Sequence, residues 1–114
     1  MEARPRTTVE YVSRNGKNHF ADWLDHLDIR ANAAVIARLI RVRNGTFGDT
    51  KPVGEGVTEL RIDYGPGLRV YYGSDGPELV ILFAGGDKST QDRDIALAKK
   101  LWKEYKLART HANR

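Results

Sequence analysis

The chain has 114 residues, a formal net charge of +4 at pH 7 and no cysteine. This length suits one domain with a single core, and the lack of cysteine excludes a disulfide framework, a thiol nucleophile and a cysteine-based zinc site. The N-terminus has no apolar run of signal-peptide length, and no segment approaches the roughly 18 consecutive apolar residues of a membrane span. We therefore expect a single-domain cytoplasmic protein with no membrane partner.

The charges are unevenly distributed along the chain. Basic residues dominate from Lys88 to the C-terminus, whereas residues 46–87 are acidic overall. A basic segment favours a polyanionic or acidic partner, although a lysine-rich helix is more often a solvated face. An arginine in the acidic middle segment must be specifically placed if it is to reach a ligand.

The first half of the chain predicts one strand followed by two helices. Residues 7–13 alternate enough for a strand, and after Asn15-Gly16 the apolar positions recur at helical spacing. Asp28 is suited to cap the second helix, and Asn44-Gly45 to end it. The apolar residues predicted to share one face of the second helix are Ile29, Ala33, Ile36 and Ile40. The Gly-, Asp- and Pro-rich residues 46–56 predict a loop.

The second half predicts an antiparallel meander and a last helix. Three apolar runs, residues 57–63, 68–72 and 79–83, are separated by glycine-rich turns. Ser89, with Asp92 three residues later, resembles the capping box of a helix. The apolar stripe of that helix contains Ile95, Ala98, Trp102 and Tyr105. We expect the domain to span residues 1–108 and residues 109–114 to form a flexible tail.

The first hairpin of the meander places two arginines on one strand face. Side chains alternate between the two faces of a strand, an odd–even rule that we call parity. Glu59, Arg61 and Asp63 therefore share the face opposite to the apolar residues of their strand. The register that keeps the apolar faces together with a short turn sets Arg61 opposite Arg69. Two guanidinium groups in that position repel by a few tenths to about 1 kcal/mol, so an anion should lie between them. Neutralisation by Glu59 and Asp63 and binding of an external anion both remain open.

Lys88 lies where the last strand ends in Gly85-Gly86 and the last helix begins. A helix start presents unpaired N–H groups that favour an anion, and a lysine adds positive charge there. If the strand before this corner runs antiparallel to the strand of Arg69, Lys88 and the two arginines would form a phosphate-sized site. The simpler interpretation is a tight corner with a solvated lysine.

Two segments of the chain resemble a known family. The runs TELRIDYGPGLRVYYG and VILFAGGDKSTQDRDIALAKKLWKEY resemble the phage-derived Gp49/HigB-like branch of the RelE/ParE toxins, and the likeness covers nearly the whole chain. It implies an α+β fold with a small twisted antiparallel sheet, two N-terminal helices packed on it and a C-terminal helix. It also implies a type II toxin that cleaves messenger RNA on the ribosome, needs no metal or other cofactor, and is silenced by a cognate helix-turn-helix antitoxin.

The resemblance also implies roles for individual residues. Arg69 matches the arginine after the hairpin turn in RelE, Lys88 falls about where RelE has a catalytic arginine, and Arg61 matches a basic position in the first hairpin strand. These three are the expected catalytic residues, stabilising the transition state as the ribose 2′-hydroxyl attacks the adjacent phosphate in line. The lysine pair that precedes the hairpin arginine in RelE is replaced by Val57 and Glu59.

The remaining roles stay open at this point. Asp94 lies near the position of the RelE stacking tyrosine, and the general base or positioning residue is one of Glu59, Lys88, Gln91 and Asp94. Tyr71 shares the Arg69 face and is the best candidate for stacking on a base. Catalysis by His19 or His26 is disfavoured, and Trp23 and Trp102 are expected to pack in the core.

Two other functions also remain possible for such a chain. One is a ParE-like inhibitor of DNA gyrase. The other is an inactive relative that binds only RNA or phosphate, its arginines neutralised from within.

Overall fold

The computed structural model describes residues 4–112 as one sheet with helices on both faces. The elements in chain order are β1 (Thr7–Glu10), α1 (His19–Asp25), α2 (Ile29–Arg43), β2 (Thr50–Gly54), β3 (Val57–Ile62), β4 (Leu68–Asp75), β5 (Leu79–Asp87), a 3₁₀ turn (Lys88–Thr90) and α3 (Gln91–Ala112). The predicted α+β fold, with two N-terminal helices, a sheet and a C-terminal helix, is confirmed.

The sheet has the strand order β1-β5-β4-β3-β2. The predicted meander of β3, β4 and β5 is present, β1 pairs with β5 in parallel, and β2 pairs with β3 antiparallel. The prediction of a loop for all of residues 46–56 was wrong, because Thr50–Gly54 pairs with β3 as an edge strand. Its Pro52 and Gly54 are loop signals in the sequence, but an edge position tolerates both residues.

Side chains at the helix ends satisfy backbone groups as the sequence indicates. Asp28 accepts a hydrogen bond from the Ala31 N–H at 2.9 Å and so caps α2. Asn44 ends the helix, and Gly45 follows with a φ of 91°, a conformation that favours glycine.

The predicted apolar face of α2 exists but does not face the core. A second stripe is buried instead, formed by Ala31, Val35, Leu39 and Val42. Residues 29–43 contain enough Ile, Val, Leu and Ala to form two apolar stripes. The periodicity predicts a helix, and only packing on the sheet selects which stripe is buried.

The sheet separates two hydrophobic clusters. The cluster under α1 and α2 includes Phe20, Leu24, Val35, Leu39, Leu60, Val70 and Leu82. The cluster under α3 includes Val57, Tyr71, Ile81, Phe83, Ala98, Leu101 and Trp102. Alternate residues of β3 and β4 therefore face different helices, and the arginine face of the hairpin is the one turned toward α3.

The corner between β5 and α3 differs from the predicted capping box. The Asp87 carboxylate accepts from the Ser89 N–H at 2.8 Å, and Thr90 Oγ1 accepts from the Asp87 N–H at 3.2 Å. The cap is therefore Asp87 and not Ser89, because β5 extends to Asp87 and the chain turns directly after that residue. At its other end α3 continues through Ala112.

This helix extends past residue 108, where the domain was expected to end and a tail to begin, so residues 109–112 are helical. Arg109 and Tyr105 both donate hydrogen bonds to the Asp75 carboxylate at the end of β4. Residues 113 and 114 lie outside the described range. Within residues 4–112 no helix has the length and apolar character needed to cross a membrane.

Candidate functional site

The arginine pair is formed by the register of the β3–β4 hairpin. Arg61 lies opposite Arg69, and Leu60 lies opposite Val70, as parity predicts. On the other side of β4, Arg69 lies opposite Gly86 of β5. The two arginines thus occupy neighbouring positions on the sheet face covered by α3.

A buried carboxylate lies between the two guanidinium groups. Glu59 Oε1 accepts a hydrogen bond from Arg61 Nε at 2.9 Å and lies 3.6 Å from Arg69 Nε. Its other oxygen accepts from the Tyr71 hydroxyl at 3.2 Å and from Gln91 Nε2 at 2.6 Å. The Glu59 side chain has no exposed surface, so these four neighbours supply its environment.

Internal neutralisation of the arginines is therefore partial. Asp63, the other carboxylate on that face of the hairpin, is exposed and forms no ion pair with any described residue. Two guanidinium groups share one carboxylate, which leaves a surplus positive charge. Arg61 is 34% exposed and Arg69 14% exposed, so an incoming anion reaches Arg61 first.

Arg69 retains unused hydrogen-bonding capacity. Its Nη1 donates to the Leu68 carbonyl at 3.3 Å, whereas its buried Nε has no hydrogen-bond partner among the described residues. A buried donor without a partner costs free energy, on the order of 1–3 kcal/mol. A small shift of the guanidinium toward Glu59 or toward a bound anion would satisfy it.

The contacts of Glu59 determine its protonation state. Burial by itself raises the pKa of Glu59, but hydrogen bonds from Arg61, Gln91 and Tyr71 and the charge of Arg69 together hold its pKa below the ordinary value. Burial and the neighbouring Glu59 charge raise the pKa of Tyr71. At neutral pH the carboxylate is ionised, the phenol is protonated, and both carboxylate oxygens already accept hydrogen bonds.

Tyr71 does not have the position expected of a base-stacking residue. It shares the Arg69 face, as parity predicts, but its ring is fully buried in the cluster under α3. No nucleobase can stack on it in this structure, so we correct that expectation. The strand pattern indicates the face correctly, but it carries no information about the helix that covers the face.

Lys88 lies at the corner where α3 approaches the arginine face. It is exposed in the 3₁₀ turn and directly follows Asp87, which pairs with Leu68. Three residues later, Gln91 reaches the Glu59 carboxylate. Because residues i and i+3 eclipse each other in a 3₁₀ turn, Lys88 and Gln91 lie on the same side of the corner.

Asp94 stabilises this corner from the inside. Its carboxylate is buried and accepts from Thr90 Oγ1 at 2.5 Å and from Arg93 Nε at 3.4 Å. Gly86 lies directly beneath it, because a Cβ at that position would be only 1.8 Å from Asp94 Oδ2. The second glycine of the motif is thus required by a close approach of helix and strand.

One positioning residue was missed in the sequence. Arg38 of α2 is buried and donates to three backbone carbonyls, those of Phe47 at 2.9 Å, Arg61 at 2.6 Å and Asp49 at 3.0 Å. It therefore holds the backbone of Arg61 from the opposite face of the sheet. The available signal was an arginine within the second apolar stripe of α2, but that stripe was not recognised.

The histidines and tryptophans lie outside the arginine site. His19 and His26 are at the two ends of α1, and burial lowers the pKa of His19. Trp23 packs against Gly85 of β5, and Trp102 of α3 packs against Gly73 of β4. Both tryptophans therefore pack against the sheet.

Comparison with known proteins places this chain in the RelE/HigB-like class of toxins. The family model described as "Phage derived protein Gp49-like (DUF891)" matches residues 22–103, which include the arginine pair, Glu59 and Lys88. The chain belongs to this Gp49-like family. Membership makes it a toxin-like protein and implies, in general terms, an antitoxin partner.

A curated relative shares much of the sequence. It is an uncharacterized protein from Haemophilus influenzae, 52% identical over 89 residues, and the alignment covers 77% of this chain and 90% of the relative. No solved structure matches the chain.

Proposed function

We propose that this protein is the toxin of a type II toxin–antitoxin system and that it cleaves messenger RNA on the ribosome. The observation that carries the proposal is the arrangement of Arg61 and Arg69, which lie opposite each other and share one buried carboxylate. The two guanidinium groups carry more positive charge than the one carboxylate neutralises, and their planar donors match the phosphodiester group of RNA.

The proposed reaction is an in-line displacement at phosphorus. The ribose 2′-oxygen forms a bond to the adjacent phosphorus as its hydroxyl proton passes to water, the bond from phosphorus to the 5′-oxygen breaks, and a 2′,3′-cyclic phosphate remains. Negative charge builds on the non-bridging oxygens, where Arg61 and Arg69 would donate hydrogen bonds that strengthen in the transition state. Lys88, exposed at the corner, would supply a third cation and a proton for the leaving 5′-oxygen.

The carboxylates are positioning residues in this proposal. Both oxygens of Glu59 are occupied by donors, and Asp94 is buried against Thr90 and Gly86. Both carboxylates are buried, so neither is accessible to an RNA 2′-hydroxyl in this conformation. Glu59 instead orients the arginines, and Gln91 holds Glu59 in place while joining α3 to the sheet.

The basic surface of α3 supports ribosomal RNA as the docking partner. The helix carries exposed or half-exposed cations at Arg93, Lys99, Lys100, Lys103, Lys106 and Arg109. Contacts of such cations with phosphate release counterions and provide affinity that does not depend on sequence. The arginine pair alone is too small a surface for that purpose.

Mapping of messenger RNA ends in a purified translation reaction tests the proposal. We expect new 5′ ends within translated codons when ribosomes are present and none when they are omitted. The matched control is the Lys88→Ala protein, whose exposed change keeps the arginine pair and its buried counter-ion and which should cleave the message far more slowly. Intact messages with the unmodified protein would contradict the proposal.

The same preparation distinguishes the alternatives. A ParE-like protein would leave messages intact and block DNA supercoiling by gyrase in a separate assay. The contact of Glu59 with both arginines favours a second candidate, an inactive relative that binds RNA or phosphate. Such a protein would show neither activity but would still retain labelled RNA on a filter.

A further inference from the structure

Helix α2 presents an apolar stripe to solvent on the side away from the sheet. Its residues are Ile29, Ala33, Ile36 and Ile40. Ile29 is 86% exposed, Ile36 38% and Ile40 48%. The core is already filled by the buried stripe of the same helix, so this exposed stripe, which we name the α2 seam, lies outside the core cluster.

The spacing of the α2 seam is that of a helix-pairing surface. Successive members are separated by four, three and four residues, which is the a/d alternation of a heptad repeat. An isolated exposed isoleucine needs no explanation, but a row of apolar side chains at this spacing marks an interaction site. An amphipathic helix docks on such a surface through anchors at the same spacing.

The charges around the α2 seam indicate which partner it fits. Residues 29–43 contain no Asp or Glu, while Arg30 and Arg41 are exposed beside the seam. Pairing of two copies along this helix would bring arginines of like charge together, which is unfavourable. A helix with carboxylates beside its own apolar row would gain ion pairs at both ends.

We propose that the α2 seam is the docking surface for an amphipathic, acidic-flanked helix of the partner antitoxin. This inference uses membership of a toxin family and does not depend on the ribonuclease activity proposed above. The seam lies on the opposite side of the sheet from the arginine face, so the bound helix would leave that face uncovered. The bound helix would hold the antitoxin on the toxin, while another part of the antitoxin acts on the arginine site.

The test uses the full chain and its cognate antitoxin, identified as the product of a small reading frame whose co-expression restores growth. Affinity is measured by titration calorimetry for Ile36→Glu, Ile40→Glu and the charge reversal Arg30→Glu/Arg41→Glu. The matched control is Leu107→Glu, which alters another exposed large apolar residue, on α3. We expect each seam variant to weaken binding at least about tenfold, as truncation of an interface anchor does, and the control to bind within about twofold.

Fold and activity are monitored in parallel. Circular dichroism melting should show each seam variant to be as stable as the control, because the altered residues are exposed, and messenger RNA cleavage should be unchanged. Seam variants that bind with the affinity of the unmodified protein would overturn the proposal. Light scattering that shows the lone protein to be a dimer, and Ile36→Glu to be a monomer, would also overturn it. Binding of the lone protein to anionic vesicles that Ile36→Glu abolishes would overturn it as well.

Discussion

Glu59 is the residue on which the geometry of the arginine pair depends. A carboxylate without exposed surface costs several kcal/mol unless neighbours neutralise it, and here Arg61 and Arg69 do so within 2.9 and 3.6 Å. The dependence is mutual, because the strand register places the two arginines opposite each other and this shared anion offsets their repulsion. Changes at any of the three residues therefore affect stability and chemistry together.

We expect Glu59→Gln to destabilise the protein by about 3–5 kcal/mol, the usual cost of removing one partner from a buried ion pair. The variant keeps the shape of the side chain but leaves the mostly buried Arg69 without a counter-ion. Urea unfolding measures the change. The control Asp63→Asn alters an exposed carboxylate and should stay within about 0.5 kcal/mol.

The pH dependence of the unfolding free energy, compared between the unmodified protein and Glu59→Gln, gives an independent check. The pKa of Glu59 is lowered in the folded state, so its stabilising effect is present above the ordinary carboxylate pKa of about 4.3. It is lost as the pH falls through the lower folded-state pKa. We expect the stability gap between the unmodified protein and Glu59→Gln to narrow below about pH 4.3, and a gap that widened in acid would contradict the assignment.

Lys88 offers the cleanest separation of chemistry from folding. It is exposed, so Lys88→Ala should change stability by no more than about 1 kcal/mol. Loss of a donor to the developing charge typically lowers the rate about 10²–10³-fold. Ribosome-dependent cleavage and melting temperature are measured for Lys88→Ala and for the control Arg30→Ala, which lies on the far side of the sheet. A folded Lys88→Ala protein that cuts at the unmodified rate would show that Lys88 is not part of the site.

At the scale of elements, the junction of β5 with α3 determines where Lys88 and Gln91 lie. The helix approaches the strand so closely that Gly86 has no room for a side chain beside Asp94. The cap formed by Asp87 and Thr90 then turns the chain sharply enough for Gln91 to reach Glu59. The corner is thus a geometric requirement of the site as well as a turn.

We expect Gly86→Ala to cost about 1–3 kcal/mol, the range for overpacking a close contact. It should also lower cleavage, because relief of the clash moves the start of α3 away from the arginines. Addition of Asp94→Ala removes the clashing oxygen and should recover part of the stability. A double-mutant cycle by urea unfolding measures this coupling, and strictly additive effects would show that the two residues do not clash.

At the scale of the whole molecule, the two sides of the sheet carry different surfaces. One side has the arginine site and the lysine-rich α3, whereas the other has the α2 seam with its flanking arginines. Under the two proposals above, an RNA and an acidic helix would bind opposite sides of one small domain.

A matched pair of charge reversals separates these surfaces. Lys100→Glu/Lys103→Glu and Arg30→Glu/Arg41→Glu change the net charge equally, one on α3 and one on α2. We expect the α3 variant to lose ribosome binding in a sedimentation assay, and the binding of the unmodified protein to weaken as salt rises. The α2 variant should retain ribosome binding, and equal loss in both would mean that net charge alone controls association.

Much of the site followed from local rules. Parity and a short turn predict the Arg61–Arg69 pair, and the cap at Asp28 follows from side-chain chemistry, since both depend on neighbours close in sequence. The resemblance of the two quoted segments indicated the family that the comparison then identified. Roles for individual residues remain predictions.

Other features depended on contacts between distant parts of the chain. The contact of Gln91 with Glu59 joins residues 32 positions apart, and the burial of Tyr71 depends on α3 lying over its strand face. The same is true of Arg38, whose carbonyl partners extend to Arg61.

Sequence by itself determined which segments can form helices and strands, and which residues share a face, because periodicity and caps act over a few residues. Tertiary structure decided which of the two apolar stripes on α2 is buried, that Pro52 lies in an edge strand, and which donors neutralise Glu59. Those outcomes depend on the free energy of packing one element against another. A pattern of side chains along one segment does not specify what lies across from it.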